Sequence, residues 1–291
     1  MSTRTAGPDD KSPVRLALLI FTSVLFLMTA AFSAEAAPRA ELWPHWTEHD
    51  RNSRLSINHS AWDRFLQMYV RTDKNGINVL AYGDVSKANR KLLEDYIAML
   101  EMVPIATYSR SEQLAYWINF YNALTVRVIL AYYPVESIMD IKISPGWFSP
   151  GPWGKKLVKV DNRSLSLDDI EHRILRPIWK DPRIHYAVNC ASIGCPNLQK
   201  QAFTAENLEK LLDQGARAYV NHSRGAEFIR GELYVSTIYN WFIEDFGGDT
   251  RGVIAHISRY AEPALKKRLS TVSDIAGNSY DWGLNLYRKS E

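Results

Sequence analysis

The sequence predicts an α+β protein, a predominantly helical single domain with a small sheet. Apolar residues recur at helical spacing in several runs of ten or more residues. Strand-like alternation is confined to three short runs. No Gly/Ser-rich, Pro-rich or single-charge tract interrupts the chain after residue 58, so one domain is expected.

The helices follow in order. Ser60-Ala-Trp-Asp63 opens a run with Trp62, Phe65, Leu66 and Tyr69 on one face, and Lys87 to Leu100 repeats the period. Ser109-Arg-Ser-Glu112 is a capping box for the longest candidate, which ends near Tyr132 before Pro134. Its stretch from Leu114 to Ala123 is apolar on nearly every face, the mark of a central buried helix. Ser166-Leu-Asp-Asp169 starts a helix through Leu175. Thr204 to Val220, Ile238 to Phe246 and Gly252 to Tyr260 complete the set. The strand candidates are Leu157 to Val160, Ile184 to Asn189 and Glu232 to Val235.

The N-terminus has the order of an export signal. Arg4, Lys11 and Arg15 precede an uncharged stretch from Leu16 to Phe32, and Ala34-Glu35-Ala36 supplies small residues for cleavage. The stretch is shorter than the ~20 residues a spanning helix usually needs, so cleavage and no stable membrane anchor are expected. The predicted division is a signal peptide over 1–37, an extension over 38–57, a globular domain over 58–285 and a tail over 286–291. Localisation is then periplasmic or secreted, where a disulfide persists.

Composition narrows the function. At 46% hydrophobic and 23% charged the chain is an ordinary globular protein. A net charge of +3 and a pI of 8.7 exclude the strongly basic balance of a nucleic-acid binder. No phosphate-binding glycine loop or dinucleotide fingerprint occurs, and no cofactor is expected.

The densest reactive cluster is His185-Tyr-Ala-Val-Asn189-Cys190-Ala-Ser192-Ile-Gly-Cys195-Pro196. On a strand, His185 and Asn189 share one face and Cys190 takes the other, so a Cys190–His185 dyad requires Cys190 to lie in the following loop. His172 on the preceding helix is a second candidate base. The two cysteines can instead close a Cys190–Cys195 disulfide that staples the loop. Asn119 and Asn122 lie on one side of the long helix. They either tie it to neighbouring backbone or face a cleft, where Asn119 could orient a histidine or donate to an oxyanion. Trp147 and Trp153 belong to a Pro/Gly-rich aromatic segment that either plugs the core edge or presents a surface for a peptide or glycan. His45-Trp-Thr-Glu48-His49 spells H-x-x-E-H, but without a helical context or a third ligand no metal site is expected there.

These segments resemble a known family, the domain of unknown function numbered 547. Leu114-Ala-Tyr-Trp-Ile-Asn-Phe-Tyr-Asn122-Ala-Leu is similar to its long-helix motif. Gly151-Pro-Trp-Gly-Lys-Lys and Leu165-Ser-Leu-Asp-Asp-Ile-Glu-His172-Arg-Ile-Leu-Arg-Pro177 resemble its central block. Arg183 to Pro196 is similar to its most recognisable segment, and Trp241-Phe-Ile-Glu-Asp245-Phe-Gly and Tyr280-Asp-Trp-Gly-Leu-Asn285 match later ones. The resemblance spans about Trp43 to Asn285 and implies an exported bacterial single-domain protein, with no agreed substrate, cofactor or catalytic residue. The family commonly carries Tyr where this chain has Phe242, so no hydroxyl role falls there.

Two functions remain open. The first is a cleft-bearing binding or scaffold domain, stapled by Cys190–Cys195, with Asn122, Asn189, Trp147 and Trp153 toward its ligand. The second is a thiol-dependent hydrolase or acyl/peptidyl transferase with Cys190 as nucleophile, His172 or His185 as base and Asn119 as orienter.

Overall fold

The structure is a computed structural model that describes residues 38–146 and 150–288. The expected export signal and Trp147 lie outside the described residues. The architecture is α+β and mostly helical, with three small sheets rather than one.

Helix α1 (Ser60–Tyr69) leads into the hairpin β1 (Val70–Thr72) and β2 (Asn78–Leu80). Helix α2 (Lys87–Glu101) is capped by Ser86, which accepts from the Asn89 amide. Helix α3 (Arg110–Tyr132) is buried along most of its length, as its all-round apolar sequence requires. Ser109 caps it through the Glu112 amide, but the Glu112 carboxylate turns away and accepts from the Ile57 amide, so the expected box is half made.

The hairpin β3 (Val158–Val160) and β4 (Arg163–Leu165) turns at Asp161-Asn162, both at positive φ, the geometry that matches strand twist. After it comes a π-helical turn, Asp169–Leu175, continued by helix α4 (Arg176–Trp179). Ser166 and Asp169 cap it reciprocally. The Asp169 amide donates to Ser166 Oγ at 3.2 Å, and the Ser166 amide donates to Asp169 Oδ2 at 2.8 Å.

The expected strand over 184–189 is absent. Asp181 accepts from the Arg183 amide and Pro182 takes the first position, so a 3-10 helix forms over Pro182–Tyr186 and a loop follows. Helix α5 (Leu208–Val220) starts later than predicted, because Thr204 and Asn207 close a turn on each other first. The last sheet pairs β5 (Ala226–Ile229) with β6 (Glu232–Ser236) through an Arg230-Gly231 turn at positive φ. Helix α6 (Thr237–Trp241) breaks before a separate 3-10 turn, Ile243–Phe246, where one helix was expected. Helices α7 (Thr250–Tyr260) and α8 (Pro263–Leu269) follow, and β7 (Gly277–Ser279) adds to β6 in parallel.

Two apolar clusters form the interior. The larger gathers around α3; the smaller lies under β5 and β6 with α7. Helix α5 serves both, giving Leu208, Leu211 and Leu212 to the first and Ala216, Tyr219 and Val220 to the second. Residues 38–57 are not a detached extension. The Trp43 amide donates to the Arg173 carbonyl, and buried Trp46 packs edge-on against Trp117. Residues past 285 pack too: the Tyr287 amide donates to the Leu80 carbonyl.

Both asparagines of α3 are clamps. Asn119 Nδ2 donates to the Phe203 carbonyl at 2.7 Å, and its Oδ1 accepts from the Phe203 amide at 3.0 Å. Asn122 does the same to the loop after the 3-10 helix, donating to the Ala187 carbonyl at 2.9 Å and accepting from the Asn189 amide at 2.8 Å. Replacing Asn119 with Ala strands both backbone groups of Phe203, and we expect a loss of ~1–3 kcal/mol in urea denaturation.

Candidate functional site: a donor-surrounded thiol

Cys190 follows the segment held by Asn122. Asn189 shapes the turn: its Oδ1 accepts from the Ala191 amide at 2.9 Å and its Nδ2 donates to the Pro196 carbonyl at 2.7 Å. The reversal is made at Ala191, with φ of 61°, a left-handed conformation that costs a non-glycine residue roughly 1–2 kcal/mol. Gly194 permits a close approach instead. A Cβ there would meet the Asp281 amide nitrogen at 2.8 Å. The Gly194 amide donates to the Asp281 carbonyl, joining the loop to the C-terminal segment.

That segment delivers Tyr280. Its hydroxyl lies 2.9 Å from Cys190 Sγ and 2.8 Å from Ser192 Oγ, which is itself 3.2 Å from Sγ. Cys190 is half-buried, and both cysteines are free thiols, so the expected staple is not formed in this structure. Asn189, Asn122 and the Gly194–Asp281 pairing hold the loop without it. Cys195 is buried, and its Sγ accepts from the Cys190 amide at 3.0 Å.

The donors set the acidity. A hydrogen bond from the Cys195 thiol, then those from Ser192 Oγ, Tyr280 and the Ser192 amide, outweigh burial and hold Cys190 below the usual thiol range. Burial, followed by the hydrogen bond to Cys190 and the charge there, pushes Cys195 up. Tyr280 is also pushed well up, by burial and then by Cys190, so it keeps its proton and is placed to donate to Cys190 Sγ. Around these groups Tyr280, Trp241 and Trp282 pack with ring centroids 4.7–5.5 Å apart. Trp153 meets Trp282 edge-on at 5.8 Å. All four rings are partly exposed.

The histidines belong to a neighbouring cluster. His185, on the 3-10 helix, places Nε2 2.7 Å from Asp245 Oδ2 and Nδ1 3.8 Å from Glu171 Oε1. Phe242 stacks on its ring at 4.2 Å, and the Arg176 guanidinium lies 4.6 Å from the centroid of that phenyl. Arg176 donates from Nε to Asp245 Oδ2 at 2.6 Å and from Nη1 to His172 Nδ1 at 3.1 Å. Against burial, these partners hold the Asp245 carboxyl down at about 2. His172 Nε2 lies 3.7 Å from Asp168 Oδ1. Burial first, then the carboxylates of Glu171 and Asp169, raise Asp168 to about 7 against the pull of Lys156.

Among the described residues, the groups that lower Cys190 are hydroxyl, thiol and amide donors, and neither histidine is among them. Tyr121 on α3 lies near both clusters: its hydroxyl is pushed well up by burial, then by the Glu171 carboxylate and by Cys190.

Several sequence assignments change. Asn119 is fully buried with its amide engaged by Phe203, so it neither orients a histidine nor reaches a cleft. Asn122 and Asn189 are buried positioning groups rather than ligand contacts. His45 pairs with Asp161 at 2.7 Å and His49 lies 2.8 Å from Arg110, so the two face separate partners. A cavity of about 710 Å³ between Trp46, Trp117, Met102 and Lys159 shares none of the thiol's neighbours. Sequence reasoning left Tyr280, Ser192, Tyr121, Glu171, Asp168 and Asp245 without roles. All six lie in segments that resemble family motifs, and Ser192 also belongs to the reactive cluster around Cys190; those are the signals the sequence offers.

The fold and site thus define a mostly helical α+β domain that holds a half-buried, acidified thiol beside partly exposed aromatic rings. Residues 105–220 match the family model described as "Protein of unknown function, DUF547", which supports the family resemblance across α3, the π-helical turn, the Cys190 loop and α5. No curated protein and no solved structure matches the chain.

Two outcomes test this geometry. Tyr280→Phe removes a donor to the thiolate and should raise the Cys190 pKa. The iodoacetamide rate profile would then shift to higher pH, as read by mass spectrometry of the Cys190 peptide. Stability should also fall with acid. Burial holds His59 and His172 down at about 4, against 6.5 in an unfolded chain. The unfolded state therefore binds protons first. The contribution of each histidine is full above about pH 6.5 and declines toward pH 4, by up to ~3 kcal/mol, while Asp168, raised to about 7, favours the folded state as pH falls through the same window and offsets part of that loss. Urea midpoints at pH 7 and 4.5 check this, and His172→Gln should flatten the slope.

Proposed function

We propose that this protein is a thiol-dependent acyl-transfer enzyme, a hydrolase or an acyl/peptidyl transferase, with Cys190 as nucleophile. The observation that carries the reading is the half-buried Cys190 thiol, held below its usual range by surrounding donors. A thiolate so prepared needs no imidazole base, and lowered acidity is one of the recognised routes to an active thiol. His172 and His185 then act through the ion cluster behind the site instead of on the sulfur.

In the reaction Cys190 Sγ attacks a carbonyl carbon. The C–S bond forms as the carbonyl π pair moves to oxygen, and the Tyr280 hydroxyl donates to that oxyanion. Collapse of the intermediate expels the leaving group, which takes a proton from solvent and leaves a thioester on Cys190. Water or an amine then attacks the thioester, and the sulfur departs as thiolate. Trp153, Trp241 and Trp282 supply the apolar contact surface for a peptide or glycan substrate. With residues 1–37 read as a cleaved export signal, the working compartment is the periplasm or the medium.

A second reading keeps the aromatic surface and omits the chemistry, as a ligand-binding domain. The clustering of Trp153, Trp241, Tyr280 and Trp282 favours it. p-Nitrophenyl acetate separates the two. The enzyme reading expects a burst of nitrophenolate and an acetyl group on the Cys190 peptide, both lost in Cys190→Ser. Equal reaction of wild type and Cys190→Ser would eliminate it.

A further inference from the structure

The pairing of a half-buried, donor-held sulfur with a second, buried cysteine beside it serves a chemistry beyond acyl transfer. We propose that Cys190 is a site of reversible oxidation by hydroperoxides, and that Cys195 is the thiol that resolves it to a Cys190–Cys195 disulfide. The inference rests on the same Cys190 nucleophile as the proposed function, but asks for a different electrophile and a second residue.

Three features carry it. Cys190 is the half-buried member of the pair and Cys195 the buried one, so an oxidant from solvent meets Cys190 first. The Cys195 sulfur lies 3.0 Å from the Cys190 backbone nitrogen, so the resolving sulfur sits against the backbone of the reacting residue. The Tyr280 and Ser192 hydroxyls flank Sγ at 2.9 and 3.2 Å, where they can donate to the oxygen that leaves when a peroxide bond breaks. An acidic, accessible thiol poised next to a resolving cysteine is the arrangement that makes oxidation site-selective and reversible.

The steps balance. Cys190 Sγ, as thiolate, attacks the terminal oxygen of R–O–O–H. The S–O bond forms and the O–O bond breaks, so sulfur is oxidised by two electrons and the peroxide reduced. The alkoxide takes a proton from solvent and leaves as ROH, with Cys190 now a sulfenic acid. Cys195 Sγ then attacks the Cys190 sulfur, the S–O bond breaks, and the departing hydroxide takes the Cys195 proton to leave as water. A small dithiol returns both cysteines by exchange.

The test uses the full chain and hydrogen peroxide. Wild type should lose both thiols together, with the mass of two hydrogens, give no dimedone adduct, and recover with dithiothreitol. In Cys195→Ser or Cys195→Ala, a dimedone adduct should accumulate at Cys190. In Cys190→Ser, loss of the Cys195 thiol should slow by roughly tenfold or more, because the thiolate is the reacting form. Three results overturn the proposal: thiols in wild type that last as long as in Cys190→Ser, a wild-type dimedone adduct with Cys195 still free, or a bridge between chains. Iodoacetamide separates this failure from failure of the acyl-transfer reading. Rapid alkylation of Cys190 without peroxide reaction removes the oxidation proposal alone, whereas slow alkylation removes both.

Discussion

The pair of hydrogen bonds between Asn122 and the Ala187–Asn189 backbone is the interaction on which the site depends. Helix α3 is buried along most of its length, so a polar side chain on a buried face must be matched in full. Asn122 meets that demand by fixing a loop that has no ladder or helix of its own. The loop then continues through Asn189 into the reversal at Ala191 and places Cys190 beside Tyr280. A core requirement of one helix thereby sets the position of a sulfur atom at the surface.

Around that sulfur, opposing effects are closely balanced. Burial alone would keep the Cys190 thiol protonated, and the left-handed backbone at Ala191 adds strain. Several donors reverse the first effect, and a hydrogen-bonded frame holds the second in place. The histidine cluster solves a related problem differently, with charges matched in pairs. His185 and Arg176 meet at one carboxylate oxygen of Asp245, and both also contact the Phe242 ring. Buried Tyr121 on α3 stands near both regions, its hydroxyl pushed up by burial and then by Glu171 and Cys190.

What could be read from the sequence followed from periodicity and caps. The runs at Trp62, Leu93 and Leu114 are helices because their apolar spacing leaves one packing solution, and Ser109 caps as its position demands. Ile184 to Asn189 misled because alternation resembles a strand, whereas Asp181 and Pro182 had already fixed a 3-10 turn. The backbone groups a ladder would have used go to Asn side chains, which leave no periodic trace. Cys190 was singled out as reactive, but its activating partner Tyr280 lies ninety residues on, reached through a strand whose Gly-Asn-Ser sequence has no strand propensity. Only pairing with β6 makes it one.

That C-terminal segment stitches distant parts of the chain. It pairs β7 with β6, sends the Leu284 amide to the Glu136 carbonyl and the Asn285 amide to the Ala191 carbonyl, and bridges Leu286 to Leu80. The acidity of Cys190 is therefore the last property of the site to arrive as the chain is made. Until residues 277–287 have emerged and docked, the sulfur lacks its phenol donor and stays closer to an ordinary cysteine.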